Sequence, residues 1–408
     1  VEIVNGKEII LGVTGGIAAY KAAELVRELT KKGAKVRVVM TRNAREFITP
    51  LTFQTLSGNP VQTDLFSLVE GSKIGHVALA DMADLVVIAP ATANIIGKVA
   101  HGIADDFLST MIMATKSPVL FAPSMNVNMW ESFTVQHNVA TLKETGYHFI
   151  GPEEGDLACE AIGQGRLAAL SDIVECIEDL LVEKDMRGNQ ILITAGPTHE
   201  PIDPVRFIGN RSSGRMGFAL AKMARRRGAD VILISGPSHL PIPGGNIRFI
   251  SVGTALEMRD AVLEHYKECS AIIKAAAVSD YRPKFTSNQK VKKLDGHASL
   301  ELERNPDILG EIGSLKGDRV LVGFAAETED LIANAREKLR EKHLDLIVAN
   351  DVSRSDSGFA TETNKVTIID SRGKTHPLPL KSKDEVANII LERVVEILRE
   401  RGHRRGKP

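Results

Sequence analysis

The sequence predicts an α/β protein of two domains, each built on a mainly parallel sheet covered by helices. Three observations carry this. At 408 residues the chain is long for a single hydrophobic core, and chains of this size divide into domains. Short runs rich in β-branched residues recur, and they are continuously apolar rather than alternating, as strands buried on both faces are. A helical pattern follows each run, which is the layout of βαβ units.

In the first half the strands read as EIILGV, KVRVVM, DLVVIAP and PVLFAP. The helix IAAYKAAELVRELTKKG repeats apolar residues at three- and four-residue steps and stops at Gly33. The stretch LVEKDMRGNQ (181–190) is charged, contains a glycine and interrupts the pattern. The boundary is therefore placed between domains 1–186 and 187–408. A second series then begins: QILITAG, DVILISG, SAIIKAAA, RVLVGFAA and LDLIVAN.

With 51 basic against 52 acidic residues, the chain lacks the global positive charge of a nucleic-acid binder. The basic end RERGHRRGKP reads as a solvated terminus. No apolar run approaches the ~20 residues of a membrane span, and VEIVNGKEIILGV leads into a strand without signal-peptide layout. Cys159, Cys176 and Cys269 form neither a zinc pattern nor a disulfide framework. No metal-ligand set is legible, and the expected location is the reducing cytoplasm.

Both halves open with a strand, a Gly-rich turn and a helix. The first turn, GVTGGIAAYKA (12–22), is neither GxGxxG nor a Walker loop. It admits two readings, a tight structural turn or a cradle in which backbone N–H groups meet a mononucleotide phosphate. The second turn runs from Thr194 to Gly228 and crowds Arg206, Arg211, Ser212, Ser213, Gly214 and Arg215 around a helix start. Cationic forks, hydroxyls and orphan N–H groups together favour a phosphate-type anion. A further stretch, APSMNVNMW (122–130), gathers a proline, two asparagines, two methionines and the only tryptophan. It is either a polar core turn or the wall of a site.

Taken together, GVTGGIAAYK, GSKIGHVALA, APATANIIGKVAHGIADDFLST, APSMNVNMW and GDLACEAIGQGR resemble the flavin-dependent cysteine decarboxylases. TAGPTHEPIDPVRFIGNRSSGRMG, KAAAVSDYRP, KVKK, NPDIL, VGFAAET and IVANDVS resemble phosphopantothenate–cysteine ligase. In this order they are similar to the bifunctional decarboxylase/ligase family of coenzyme A biosynthesis, over about residues 7 to 395. The resemblance implies two Rossmann-like domains, the N-terminal one flavodoxin-like. It implies FMN in the first domain and CTP with Mg²⁺ in the second. It also implies a homo-oligomer, a dodecamer of decarboxylase trimers with dimerising ligase domains, and small-molecule substrates rather than nucleic acid or membrane.

Carried over motif by motif, the resemblance assigns Asn126 to the substrate carboxylate. A neutral amide holds a carboxylate by directional donors without stabilising it against loss as CO₂. Met125, Met129 and Trp130 become apolar walls and subunit packing, with Met129 among the substrate contacts. His76 becomes the active-site histidine guiding thiol deprotonation, and Cys159 the proton donor of a loop among Gly155, Gly163 and Gly165. The family carries Gly after that Cys, where Glu160 and Ala161 stand here. FMN is expected at Gly15, Gly16, Ile17, Thr41, Ala91, Thr92, Asn94 and Ser109. In the ligase half, Lys290 faces the α-phosphate, and Asn210 handles the acyl-cytidylate with Arg206 as a substrate contact. CTP is expected at Ala275, Ala276, Asp280, Lys290, Asn305, Pro306, Asp307, Ile308, Phe324, Lys338 and Lys342. Lys338 and Lys342, four apart, share one helix face suited to a polyphosphate.

Two other classes compete. An NAD(P) oxidoreductase with tandem Rossmann-like halves lacks support, because neither GxGxxG nor an acid about 20 residues later is present. A non-catalytic flavoprotein-like scaffold would not need His76, Asn126, Cys159, Asn210 and Lys290 together. Bound FMN, bound NAD or a colourless protein would separate the three.

Overall fold

The computed structural model describes residues 3–65, 75–156, 162–292, 299–327, 330–351, 361 and 363–405. The chain forms two compact units, Val1–Glu183 and Lys184–Pro408.

Unit 1 runs β1 (Glu8–Val13), α1 (Ala19–Lys31), β2 (Lys35–Met40), α2 (Pro50–Ser57), α3 (Gly75–Met82), β3 (Leu85–Ala91), α4 (Ala93–Ala100), α5 (Phe107–Ala114) and β4 (Val119–Pro123). It continues with α6 (Val127–Glu131), α7 (Phe133–Glu144), β5 (His148–Phe149), β6 (Glu153–Asp156), β7 (Ile162–Arg166) and α8 (Leu170–Leu181). The main sheet is parallel, in the order 2-1-3-4-5. This is the flavodoxin-like order, and its switch point lies between β1 and β3. Every residue of β3 is buried, because helices cover both sides and leave no solvent face for an alternating pattern. α1 buries Ala19, Ala22, Leu25, Val26 and Leu29, the apolar steps of its sequence.

Unit 2 runs β8 (Gln190–Ala195), β9 (His199–Pro201), β10 (Phe207–Gly209), α9 (Arg215–Arg226), β11 (Asp230–Ser235), β12 (Ile247–Ser251), α10 (Ala255–His265), β13 (Ala271–Lys274), β14 (Tyr281–Pro283) and β15 (Leu302–Arg304). Then come α11 (Ile308–Leu315), β16 (Val320–Glu327), α12 (Leu331–Glu341), β17 (Leu346–Asp351), β18 (Thr363–Asn364), β19 (Val366–Asp370), β20 (Thr375–Pro377), β21 (Lys381–Ser382) and α13 (Lys383–Arg405). The large sheet orders its strands β12-β11-β8-β13-β16-β17-β19-β20. The first six are parallel and, counted along the chain, run 3-2-1-4-5-6, the Rossmann order with its switch between β8 and β13. β19 and β20 close the edge in antiparallel fashion. Helices α10, α11 and α12 share a core with one face of this sheet. α9 and α13 pack on each other, with α9 on β8 and β11 and α13 on β16.

The unit boundary falls inside the charged stretch, after Glu183, because the residues that follow it pack into unit 2. Met186 is fully buried, its N–H donates to the Arg227 carbonyl, and Asp185 forms a buried ion pair with Arg227 at 2.5 Å. Cys176 packs against the unit 1 core. Cys269 is buried, which with nearby Glu268 pushes its thiol up to about 12.

Candidate active sites

In unit 1 the carboxyl ends of β1, β3 and β4 open onto a cavity of about 870 Å³. Its floor is set by Thr14, whose hydroxyl donates to the Pro90 carbonyl at 2.6 Å and accepts from the Thr92 N–H at 3.1 Å. The turns after β1 and β3 are thereby tied together across the switch point. Gly15 is required by packing: a Cβ there would lie 2.5 Å from Cβ of Asn43. Of the residues expected around a flavin, Gly15, Gly16, Ile17, Thr41, Thr92 and Asn94 line this cavity. Ala91 and Ser109 do not; both are fully buried, and the Ser109 hydroxyl is engaged by Asp106 at 2.9 Å.

Asn126 and Met129 line the same cavity, with Met125. Asn126 caps α6, and its Oδ1 accepts the Asn128 N–H at 2.9 Å, so the NH₂ is the donor end of the amide. Trp130 behaves differently from the expectation of a wall. It is buried in the core and donates its indole N–H to Gln164 at 3.3 Å. That bond belongs to a clamp between α6 and the β6–β7 hairpin. The Met125 N–H donates to the Gly165 carbonyl, and a Cβ on Gly163 would lie 2.7 Å from Val127 Cγ2. Cys159, Glu160 and Ala161 lie outside the described residues, between the paired positions Asp156 and Ile162 of this hairpin. His76 does not line the cavity. It sits on α3, edge-on to Phe107 with ring centroids 6.1 Å apart. Its Nδ1 is buried without a hydrogen-bond partner among the described residues.

Sequence reasoning missed an ionic group on the cavity wall. Lys98 bridges Asp105 at 2.6 Å and Asp106 at 2.8 Å, and Asp106 also caps α5. Burial opposes the charge of Lys98, but the two carboxylates outweigh it and raise its pKa. The signal was present in GKVAHGIADD, where one turn of helix and a short loop return the acids to the lysine.

A flavin fits this donor set. The cavity volume is within the usual range of cofactor sites, its mouth is backbone of a Gly-rich turn at a helix start, and its walls mix Met, Thr and Asn side chains.

In unit 2 a cavity of about 830 Å³ opens at the carboxyl ends of β13, β16 and β17, beside the start of α9. It is lined by Asn210, Ala275, Ala276, Asp280, Asn305, Pro306, Asp307, Ile308, Phe324, Lys338 and Lys342, all expected from the sequence. Asn210 donates to the carbonyls of Ala277 and Val278, both at 3.1 Å. Asn305 donates to the Ser279 carbonyl at 2.8 Å, and its N–H to the Asp280 carbonyl at 2.8 Å. Asp307 caps α11 through the Gly310 N–H and pairs with Lys342 at 3.1 Å. Burial works to raise the Asp307 pKa, but the Gly310 N–H and Lys342 hold it low.

Arg206 and Lys290 do not line this cavity. The structure brings them beside each other instead. Asp203 accepts from the Val205, Arg206 and Val291 N–H groups and from the Arg206 guanidinium, while Arg206 donates to the Val291 carbonyl at 2.6 Å. Burial alone would raise the Asp203 pKa, but these donors hold it far below the carboxylate range. Lys290 is exposed next to this anchor. Two further lysines on the cavity wall were not expected, the half-buried Lys274 and the buried Lys383. Lys274 ends β13 at the switch point, and burial pushes its pKa down to about 8 against the pull of Asp307 and Asp280. Lys383 opens α13. Lys274 opens the stretch KAAAVSDYRP, whose local spacing gives its charge no partner, and Lys383 lies outside every motif, so the fold places both on the wall.

Comparison with known proteins gives two family matches. Residues 2–182 match the family model described as Flavoprotein. Residues 186–398 match the DNA/pantothenate metabolism flavoprotein C-terminal domain. The "Coenzyme A biosynthesis bifunctional protein CoaBC" of Bacillus subtilis (strain 168) is 48% identical over 405 residues, covering 98% of this chain and 100% of the relative. The protein of the same description from Vibrio cholerae is 47% identical, covering 96% of this chain and 98% of its own. That of Escherichia coli (strain K12) is 43% identical, covering 98% and 99%.

Proposed function

The chain belongs to the family of bifunctional coenzyme A biosynthesis flavoproteins, and from that premise we propose how its two units divide the work. It is an enzyme of coenzyme A biosynthesis with both a ligase and a decarboxylase activity. We assign the ligase to unit 2, joining cysteine to 4′-phosphopantothenate at the cost of CTP. The decarboxylase is assigned to unit 1, converting phosphopantothenoylcysteine to 4′-phosphopantetheine with FMN. The observation that carries this is the gathering of residues from Asn210 to Lys342 into one polar, lysine-bearing cavity at a Rossmann switch point.

In unit 2 the substrate carboxylate attacks the α-phosphate of CTP and pyrophosphate leaves. The cysteine amine then attacks the acyl carbon, loses a proton, and CMP leaves. Lys338 and Lys342 hold the nucleotide's phosphates, and Asp307 orients Lys342. Lys290, carried on the segment anchored by Asp203 and Arg206, offsets charge growing at the α-phosphate. Asn210 positions the activated acyl group. Mg²⁺ enters with CTP, held by phosphate oxygens and water.

In unit 1 the flavin, when bound, supplies two-electron oxidation of the thiol-bearing carbon and the later return of hydride. Asn126 holds the departing carboxylate by its NH₂, and Met125 and Met129 exclude water. The family resemblance is what supports a role for His76, which lies off this cavity's lining, in guiding the proton from the thiol, and for Cys159 in returning one at the end. The clamp between α6 and the β6–β7 hairpin ties the described strands of that hairpin to the turn that carries Asn126. Exposed apolar side chains such as Phe133 in unit 1 and Phe285 in unit 2 support association of several copies, and decarboxylase trimers with ligase dimers in a dodecamer are the assembly proposed. No described helix is long and apolar enough to cross a membrane, and a cytoplasmic location is proposed. The test is to supply phosphopantothenate, cysteine, CTP and Mg²⁺ and identify products by mass. Absence of phosphopantothenoylcysteine and of phosphopantetheine would end this reading.

A further inference from the structure

The charged group on the unit 1 wall holds more than the fold requires. Lys98 stands on α4 one turn after Asn94, a residue expected at the flavin, and both line the same cavity. Its ammonium bridges Asp105 at 2.6 Å and Asp106 at 2.8 Å. Asp106 alone staples α4 to α5: it takes Lys98, accepts the Ser109 N–H at 2.8 Å and the Ser109 hydroxyl at 2.9 Å, and so starts α5. Asp105 adds nothing to that cap. Its side chain is 60% exposed, and Lys98 is its one polar partner among the described residues. An ion pair this open to water contributes little to stability, so stability does not account for a second acid on this lysine.

One ammonium and two carboxylates leave the group with a net negative charge. Burial opposes the charges, yet Lys98 and the Ser109 N–H hold the Asp106 pKa low, and the two carboxylates raise that of Lys98. The remaining charged side chain on the cavity, Arg42, is exposed and follows β2 beside Thr41, on the far side of β1. Reduction of a flavin by two electrons and one proton adds one negative charge to its ring. A negative wall opposes that charge, and a cation on the wall favours it. At the effective dielectric near a protein surface, one unit charge about 10 Å away changes such an equilibrium by about tenfold.

We propose that Lys98, Asp105 and Asp106 set the reduction potential of the flavin held by unit 1, with Lys98 holding it up and Asp105 drawing it down. This rests on the flavin reading of unit 1. The balance has a use there, because the same flavin first takes two electrons from the thiol-bearing carbon and then returns them as hydride. A potential drawn too low stalls the first half, and one raised too high stalls the second.

The full-length protein loaded with FMN is reduced stepwise beside a reference dye, in mildly alkaline buffer where the reduced ring carries its negative charge. Lys98→Met should lower the reduction equilibrium constant about tenfold, a fall of ~30 mV for a two-electron couple. Asp105→Asn should raise it by a similar factor, and Lys98→Arg should leave it near wild type. The opposite signs are the critical result, because loss of a mere staple shifts both variants the same way or neither. With phosphopantothenoylcysteine added, the steady-state fraction of bleached flavin should rise in Asp105→Asn and fall in Lys98→Met. Shifts of the same sign, or both equilibria within twofold of wild type, overturn the proposal. If Lys98→Met does not fold or does not hold FMN, Asp105→Asn, which removes no cap, decides by its own sign. Wild-type protein that takes up no flavin defeats the flavin reading and the proposal with it, whereas yellow variants with unshifted potentials defeat the proposal alone.

Discussion

The two cavities are nearly equal in size, about 870 and 830 Å³, and both open at the switch point of a parallel sheet, yet they differ in charge. The unit 1 wall holds Arg42 and Lys98, and Lys98 is already neutralised by Asp105 and Asp106. The unit 2 wall holds Lys274, Lys338, Lys342, Lys383 and Arg215 around a few acids. The scaffold fixes where a ligand sits, and the side chains at the strand ends fix which ligand. A flavin asks for a shaped, mostly neutral cradle and brings its own chemistry. A triphosphate and a second anionic substrate ask for positive charge.

The strongest way to break this contrast is to separate the units. Because Met186 and Asp185 pack into unit 2, the cut belongs between Glu183 and Lys184. Residues 1–183 should purify yellow and decarboxylate supplied phosphopantothenoylcysteine, and residues 184–408 should be colourless and make it. Failure of both fragments to fold would mean the units are not independent.

Within unit 2, Lys290→Gln should suppress pyrophosphate release by about 10²–10³, the effect of losing a preorganised donor to developing charge. Asn210→Asp should still form the acyl-cytidylate but pass it slowly to cysteine. Quenching both variants with and without cysteine, followed by mass detection, checks this. Accumulation in the Lys290 variant rather than the Asn210 variant would reverse the roles. In unit 1, Cys159→Ser should release CO₂ and stall at a product lighter than phosphopantetheine by the mass of H₂. Normal phosphopantetheine formation would remove Cys159 as donor.

A smaller effect sharpens the electrostatic contrast. Lys274 and Lys383 both titrate near 8, whereas the Lys98 pKa is raised. Below that value the two unit 2 lysines are ammonium ions and attract phosphate, and above it they are neutral. CTP affinity should therefore fall by up to about tenfold from pH 7 to pH 9, while FMN retention should stay level. Parallel pH dependence of both ligands would remove the distinction. The mildest test is Gly163→Ala, whose Cβ would crowd Val127 at 2.7 Å. Overpacking of this kind costs about 1–3 kcal/mol. It should lower the melting temperature of residues 1–183 and leave CTP binding alone.

Much of this contrast was legible in the chain. Gly15, Asn126 and Asp280 sit in short motifs that carry the family resemblance, and they, Thr41 and Lys342 line the cavities the resemblance implies for them. The exceptions have a common cause. Ser109 looked like a ligand contact but turned inward to complete the Asp106 cap. Trp130 looked like a wall but found Gln164 in a hairpin 34 residues later. Lys98 gains its two acids only because the loop after α4 returns Asp105 and Asp106 to it.

By itself the sequence determined the main strands and helices and the Gly-rich turns, because those follow from local periodicity and backbone freedom, while the motif residues came from its resemblance to a known family. Only the tertiary structure decided strand order, and with it which chain segments meet at each switch point. Lys274, Asn350, Asn364 and Lys383 come from four separate segments with no motif in common. Their meeting depends on β8 pairing with β13 and on α13 returning to pack on α9. Pairing between distant segments is set by burial summed over the whole core, and no local window of sequence contains that sum.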